Sequence, residues 1–288
     1  MSKVKTIQCA VGPFSTHCIL AGEDSSPPVV LLHDGAWGGC GSVSWGAIIP
    51  RLAKRYRVIA PDMLGFGQTD KAVFLDRSPY AFRVDHIIAL LDQLGIAQQV
   101  NVIGNSFGGS VAVRMLEMHS QRLASVATIN GTGGPWRTEF ASTQLGRWDG
   151  SRDDLARILE LLVERTKHFD FDAQLNARLA SAFASGHYRS MMAPSLTQPA
   201  CLAQAGAGKD PFPGSLTASN VRVLMVGGLR DLLVETHWIE KLSSHLRLSS
   251  SVWMDAKHSP NIDNPEATCD VLESWLARKL VATKVDLD

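Results

Sequence analysis

The sequence predicts an α/β fold: a mostly parallel sheet with helices on both faces and an inserted helical lid. Three observations predict it. Short, continuous apolar runs recur, each closed by a turn. A helical pattern follows each early run. A long stretch near the middle is helical in period and carries no strand signal.

Pro28-Val29-Val30-Leu31-Leu32 is the first run, ended by His33-Asp34-Gly35. Trp45, Ile48, Ile49 and Leu52 then have helical spacing and predict one helix over 42–54. The second run, 56–60, ends at Pro61-Asp62. Val84, Ile87, Ile88, Leu91 and Leu94 follow at helical spacing, with Gly95 as a C-cap. Val100-Asn101-Val102-Ile103-Gly104 is the third run and precedes a helix over 110–118. A fourth, 126–130, closes this half. Gly131 to Pro135 is a break, and from Ser151 to about Met192 the pattern is helical. Leu155, Ile158, Leu159 and Leu162 share one face there. Pro194, Pro199, Pro211 and Pro213 punctuate the loop-rich stretch that follows. Strand signals return at 221–226 and 250–254, and a last helix fits 267–280. The expected organisation is a core of residues 1–134 and 206–288 with an insertion over 135–205. Such an insertion sits over the carboxyl edge of the sheet, where open α/β sheets bind ligands.

Composition narrows the function classes. Of the 288 residues, 45% are hydrophobic and 19% charged, and 28 basic residues balance 28 acidic ones. No long run of one charge sign suggests nucleic acid or an anionic membrane, so a small-molecule substrate is expected. Cys9, Cys18, Cys40, Cys201 and Cys269 are odd in number and irregularly spaced, which argues against a disulfide framework or a zinc site. No metal or cofactor site is visible. No apolar run approaches the ~20 residues that span a bilayer, and residues 1–10 lack a signal-peptide core. A cytoplasmic location is the expectation.

The chemistry concentrates in Gly104-Asn105-Ser106-Phe107-Gly108-Gly109. The motif follows a predicted strand and opens a predicted helix, the context of a nucleophile elbow. A strained turn projects the Ser106 hydroxyl, and Gly104 and Gly108 leave room where a Cβ would clash. The Phe107 N–H would stand at a helix N-terminus, able to stabilise an oxyanion. A serine hydroxyl needs a base. His258, just after the 250–254 strand, is the candidate, and Asp231, on the loop after 221–228, would orient it. Asp255 and Asp263 are rivals for the acid, while Asp62 reads as a turn residue. Among the nine histidines, the other eight suit structural or solvated roles better, His33 shaping a loop and His86 opening a helix.

His33-Asp34-Gly35, Ala60-Pro61-Asp62-Met63-Leu64-Gly65-Phe66-Gly67 and the Ser106 hexapeptide resemble the α/β-hydrolase superfamily. More narrowly they resemble the meta-cleavage-product hydrolases, which cut a carbon–carbon bond in 2-hydroxy-6-oxo-dienoates. The resemblance implies Ser106, Asp231 and His258 as a triad, and Gly35 with Phe107 as oxyanion donors. It implies substrate contacts from Asn105 and from Arg178 in the insertion, with Arg189 as rival. An arginine fork reads a carboxylate bidentately. Departures cluster around the expected pocket, where Asp34 replaces a glycine, Ser44 an asparagine and Ser259 a tryptophan, and these three are further expected substrate contacts. The likeness is also compatible with a homo-oligomer. A carboxylesterase is the alternative reading, ahead of a non-hydrolytic ligand receptor or a cofactor-independent oxygenase on the same fold.

Overall fold

The computed structural model describes residues 4–196, 210–279 and 283–284. Pro199, Cys201, the expected end of the insertion at 205 and the end of the last helix at 280 lie outside the described residues.

One twisted sheet organises the chain. Its strands are β1 (Lys5–Val11), β2 (Phe14–Ala21), β3 (Pro28–Leu32), β4 (Arg57–Pro61), β5 (Val100–Asn105), β6 (Leu123–Ile129), β7 (Arg222–Gly228), β8 (Leu248–Met254) and the two-residue β9 (Thr283–Lys284). Their spatial order is β1-β2-β4-β3-β5-β6-β7-β8-β9. β3 through β8 pair in parallel, while β1, β2 and β9 pair antiparallel at the edges. The hairpin β1–β2 has no counterpart in the sequence expectation. Its period-2 signal, Ile7, Cys9 and Val11, is short and lies in a largely exposed strand.

The apolar runs became central strands because both faces of the sheet are covered. Val30 and Leu32 of β3 enter one core, Val29 and Leu31 the other. Helices α3 (Ala81–Gln93) and α4 (Phe107–His119) cover the first face. α1 (Gly41–Trp45) and α2 (Ile49–Leu52) cover the second, with Cys269, Leu272 and Trp275 of the last helix. The single helix expected over 42–54 is two. Gly46 to Ile48 run as turns between them, and Pro50 restarts the helix near its N-terminus, where a missing N–H is tolerated.

Between β6 and β7 lie α5 (Glu139–Leu145), α6 (Arg152–Leu162), α7 (Phe171–Ala182) and α8 (His187–Met192). They share a separate apolar cluster: Leu155, Ile158, Leu159 and Leu162 of α6 pack with Phe171 and Leu175 of α7. Trp37 and Leu233 from the sheet's loops and Ile262 from the short helix Pro260–Asp263 join this cluster, which seats the helices over the carboxyl edge of the sheet. Ser151 caps α6 by accepting the Asp154 N–H at 3.1 Å, a contact worth about 1 kcal/mol. Among the described residues the other α-helices are α9 (Trp238–Ser243), α10 (Pro260–Asp263) and α11 (Pro265–Leu276). Among the described residues no helix is long and apolar enough to cross a membrane.

Candidate active site

Ser106 sits at the junction of β5 and α4 with φ 56° and ψ −119°, a conformation L-residues adopt rarely. The glycines around it make this geometry possible. A Cβ on Gly104 would lie 2.2 Å from the Gly108 carbonyl oxygen, and one on Gly108 would lie 2.3 Å from that of Leu32. Backbone cannot yield there as a flexible side chain could. Gly108→Ala is therefore expected to destabilise the fold by about 1–3 kcal/mol. The urea midpoint measures it, and an unchanged midpoint would contradict the clash.

His258 and Asp231 reach Ser106 from the ends of β8 and β7. His258 Nε2 lies 2.7 Å from the Ser106 Oγ, and His258 Nδ1 lies 2.6 Å from an Asp231 carboxylate oxygen. An ionised carboxylate only accepts, so Nδ1 carries the proton toward Asp231 and Nε2 faces the hydroxyl as acceptor. The other Asp231 oxygen accepts the Leu233 N–H at 2.7 Å, which holds the carboxylate still. Both side chains are nearly sealed, 4% exposed for His258 and 1% for Asp231. The rival acids are engaged elsewhere. Asp255 pairs with Arg230, and Asp263 accepts the Glu164 N–H at 2.5 Å, burial pushing its carboxyl up to about 6.

Ser106 and His258 open on a cavity of about 660 Å³ between the sheet edge and the helical insertion, with Asp231 sealed behind the imidazole. Ser106 and His258 line it with Gly35, Phe107, Phe66, Tyr80 and Met191. The Phe107 N–H is at the first helical position, where no intrahelical acceptor exists. Gly35 packs directly against that residue: a Cβ on it would lie 2.7 Å from the Phe107 Cβ.

The five side chains expected to contact substrate are not on this cavity. Asp34, Ser44, Asn105, Arg178 and Ser259 are all at most 1% exposed, and their side-chain hydrogen bonds run to one another and to backbone, with the Arg178 Nε left without a partner among the described residues. The Asn105 amide donates to the carbonyls of Ile129 and His258, and its oxygen accepts the Ser259 hydroxyl at 3.0 Å. It positions the histidine loop from behind. Asn130, with φ 50°, reinforces the same carbonyl at 2.9 Å, a role the sequence reading missed. The signal in the sequence is the residue type: an asparagine, which tolerates positive φ, just past a buried apolar run.

Arg178 is the main correction. Its two terminal nitrogens donate to both Asp34 carboxylate oxygens at 3.1 and 2.9 Å, and one also reaches the Trp37 carbonyl. Both partners are fully buried. Ser44 donates to Asp34 at 2.7 Å. Burial alone would raise the Asp34 carboxyl, but the Arg178 charge, its hydrogen bonds and the Ser44 hydroxyl outweigh it and hold the group well below the usual carboxylate range. The acidic residue in place of glycine has thus captured the arginine expected to meet substrate. The same carboxylate accepts the Ala36 N–H at 2.9 Å, so the pair clamps the Gly35 loop onto α7. Gly38, at φ +75°, allows the close approach: a Cβ there would lie 2.2 Å from the Arg178 carbonyl oxygen. The rival Arg189 is exposed on α8 and does not line the cavity.

His33 is sealed behind the same loop. Its Nδ1–H donates to the Asp34 carbonyl at 2.7 Å and its Nε2 accepts the Met63 N–H, so burial keeps it neutral and lowers its pKa. Asp62 does more than turn the chain: it accepts from His17, Gly41 N–H and Gln68 N–H, tying three segments together.

Residues 27–265 match the family described as alpha/beta hydrolase fold. The chain belongs to the α/β-hydrolase fold family. Within it, similarity runs to the 2-hydroxymuconate semialdehyde hydrolase of Pseudomonas sp. strain CF600, 26% identical over 235 residues, covering 81% of this chain and 82% of that protein. The 2-hydroxy-6-oxo-6-(2'-aminophenyl)hexa-2,4-dienoic acid hydrolase of Metapseudomonas resinovorans is 26% identical over 280 residues, covering 95% and 91%. Among solved structures, the 2-hydroxy-6-oxo-6-phenylhexa-2,4-dienoate hydrolase from Rhodococcus sp. strain RHA1 superposes with TM-score 0.83 at 23% identity, covering 96% of this chain and all of that one. At that identity the superposition shows the shared α/β-hydrolase fold. The chain accordingly resembles meta-cleavage-product hydrolases in sequence across nearly its whole length.

Proposed function

We propose that this α/β-hydrolase uses Ser106, His258 and Asp231 to cleave the carbon–carbon bond of a 2-hydroxy-6-oxo-dienoate-type ring-fission product. The observation that carries the reading is the Ser106–His258–Asp231 relay, at 2.7 and 2.6 Å, opening on a cavity large enough for such a substrate. The names of the relatives support the bond and the substrate class.

His258 has its proton-free nitrogen against the Ser106 hydroxyl, so it can take that proton as oxygen attacks a carbonyl carbon. Asp231 then stabilises the imidazolium. On this reading the Gly35 and Phe107 amides, whose residues line the cavity with Ser106, receive the negative oxygen of the tetrahedral intermediate. Breaking a carbon–carbon bond needs the departing carbon to leave as a delocalised enolate, so ketonisation of the dienol precedes cleavage. His258 is the group near the reacting centre able to move that proton.

Ester hydrolysis by the same residues is a second reading, favoured by one observation: Arg178 is neutralised by Asp34, which removes the expected carboxylate contact. An assay separates them. Purified protein is expected to bleach the visible absorbance of a 2-hydroxy-6-oxo-dienoate with a kcat/KM above that for short p-nitrophenyl esters. Fast ester turnover with the dienoate left intact would sink the carbon–carbon reading and keep the esterase.

A further inference from the structure

One buried cation on the catalytic cavity has no acidic partner among the described residues. Arg83, on α3, is only 7% exposed, yet it lines the same cavity as Ser106. Its Nε donates to the Leu64 carbonyl at 3.0 Å and Nη1 to that of Pro79 at 2.7 Å. Nη2 donates to no group among the described residues, and no carboxylate there pairs with the guanidinium. Aromatic rings surround it instead, with Phe82, Phe107 and Phe66 centroids 4.4, 5.0 and 5.5 Å from its central carbon. Burial without a counter-charge has pushed the guanidinium down to about 9.

The contrast with the other buried arginines is informative. Arg178 has Asp34, and Arg114 has Asp210 and Glu117. A buried charge is costly unless paired, and two of these three are paired within the chain. The third is unpaired and faces the cavity that holds the nucleophile. Its neighbour Phe107 supplies the candidate oxyanion amide, so an anion held by Arg83 stands on the Phe107 side of the reacting carbonyl. Arg137 also lines the cavity but is exposed, where water screens its charge.

We infer that Arg83 is the anion-recognition residue of this cavity, taking the carboxylate of an acidic substrate whose carbonyl carbon lies at Ser106. Arg178 plays no part in that contact. This assignment rests on the proposed reading of the cavity as a hydrolase site, but not on which bond is cut.

The test reads competitive inhibition of p-nitrophenyl acetate hydrolysis by 4-phenylbutanoate and by its neutral analogue 4-phenylbutanamide. The carboxylate is expected to bind at least about tenfold more tightly than the amide in the unaltered protein, the range of one charge-assisted bidentate contact. Arg83→Met is expected to remove that preference while the amide's inhibition constant stays put. Arg83→Lys keeps part of it, and Arg137→Met shifts the ratio by less than about twofold, as an exposed charge does. Equal binding of acid and amide by the unaltered protein, or inhibition by neither, overturns the inference without needing any variant to fold. So does an Arg83→Met protein that keeps the preference, or transfer of the whole effect to Arg137→Met. A carboxylate preference that depends on Arg83 together with no turnover of the dienoate would leave this assignment standing and remove the carbon–carbon reading.

Discussion

Ser106→Ala is expected to lower turnover by about 10³- to 10⁶-fold while the protein remains folded. The substitution removes the oxygen 2.7 Å from His258 Nε2 and nothing else that carries chemistry. It leaves the backbone at φ 56° and keeps the Ser106 N–H, which donates to the Ile129 carbonyl at 2.8 Å, so the elbow is retained. Residual activity is then expected from the cavity and the proposed oxyanion amides alone. Initial rates on whichever substrate is turned over, paired with a thermal melt, give the result. A variant that melts normally and retains more than about a tenth of the rate would show that Ser106 is not the nucleophile. Asp231→Asn should fall nearly as far, about 10⁴-fold, because an amide can no longer hold the Nδ1 tautomer of His258.

Arg178→Met is expected to cost about 3–5 kcal/mol of stability, the loss seen when one member of a buried ion pair is removed. Asp34 would be left fully buried with its carboxylate held by the Ser44 hydroxyl and the Ala36 N–H. The double variant Asp34→Asn/Arg178→Met should recover a substantial part of that loss, because the uncompensated charge is gone. Urea denaturation of the two single variants and the double variant gives the coupling. Single losses below about 1 kcal/mol, or a double variant equal to their sum, would show that the pair is not coupled.

The same substitution should reverse a pH trend. In the unaltered protein Asp34 is held below its unfolded value of about 3.9, so its contribution is present above that value and is lost only as pH falls toward the depressed folded one. Without Arg178 the Ser44 hydroxyl is left to oppose burial, and burial raises the folded pKa above the unfolded one. The deficit of the variant is then full at neutral pH and shrinks as pH falls through the raised value. Urea denaturation should therefore find the variant closer in stability to the unaltered protein at pH 5 than at pH 7. The Gly35 loop is tied to α7 through this pair, so activity is expected to fall as well, tracking the oxyanion geometry.

Much of this protein is written in short-range signals. The runs 28–32, 100–104 and 126–130 became central parallel strands, and Leu155, Ile158, Leu159 and Leu162 became the buried face of α6. These outcomes depend on residue period and turn chemistry, which a local window contains. The elbow is equally local: Gly104, Ser106 and Gly108 state their backbone requirement within five residues. Where local signals conflicted, local chemistry also decided, as when Pro50 split the helix expected over 42–54.

What the window does not contain is electrostatic environment. Arg178 and Asp34 are 144 positions apart, and only the seating of α7 on the Gly35 loop turned a cavity-facing arginine into a sealed partner. Nothing near Arg178 in sequence announces the acid that neutralises it. Arg83 shows the converse. In sequence it is one charged residue on an amphipathic helix, and only the packing of Phe66, Phe82 and Phe107 around it left it buried, unpaired and on the cavity wall. The sequence by itself determined the α/β scaffold and which side chains carry reactive atoms, because those follow from backbone period and residue type. The tertiary structure alone decided which charges face the cavity, because a charge's availability depends on partners that the fold brings from distant parts of the chain.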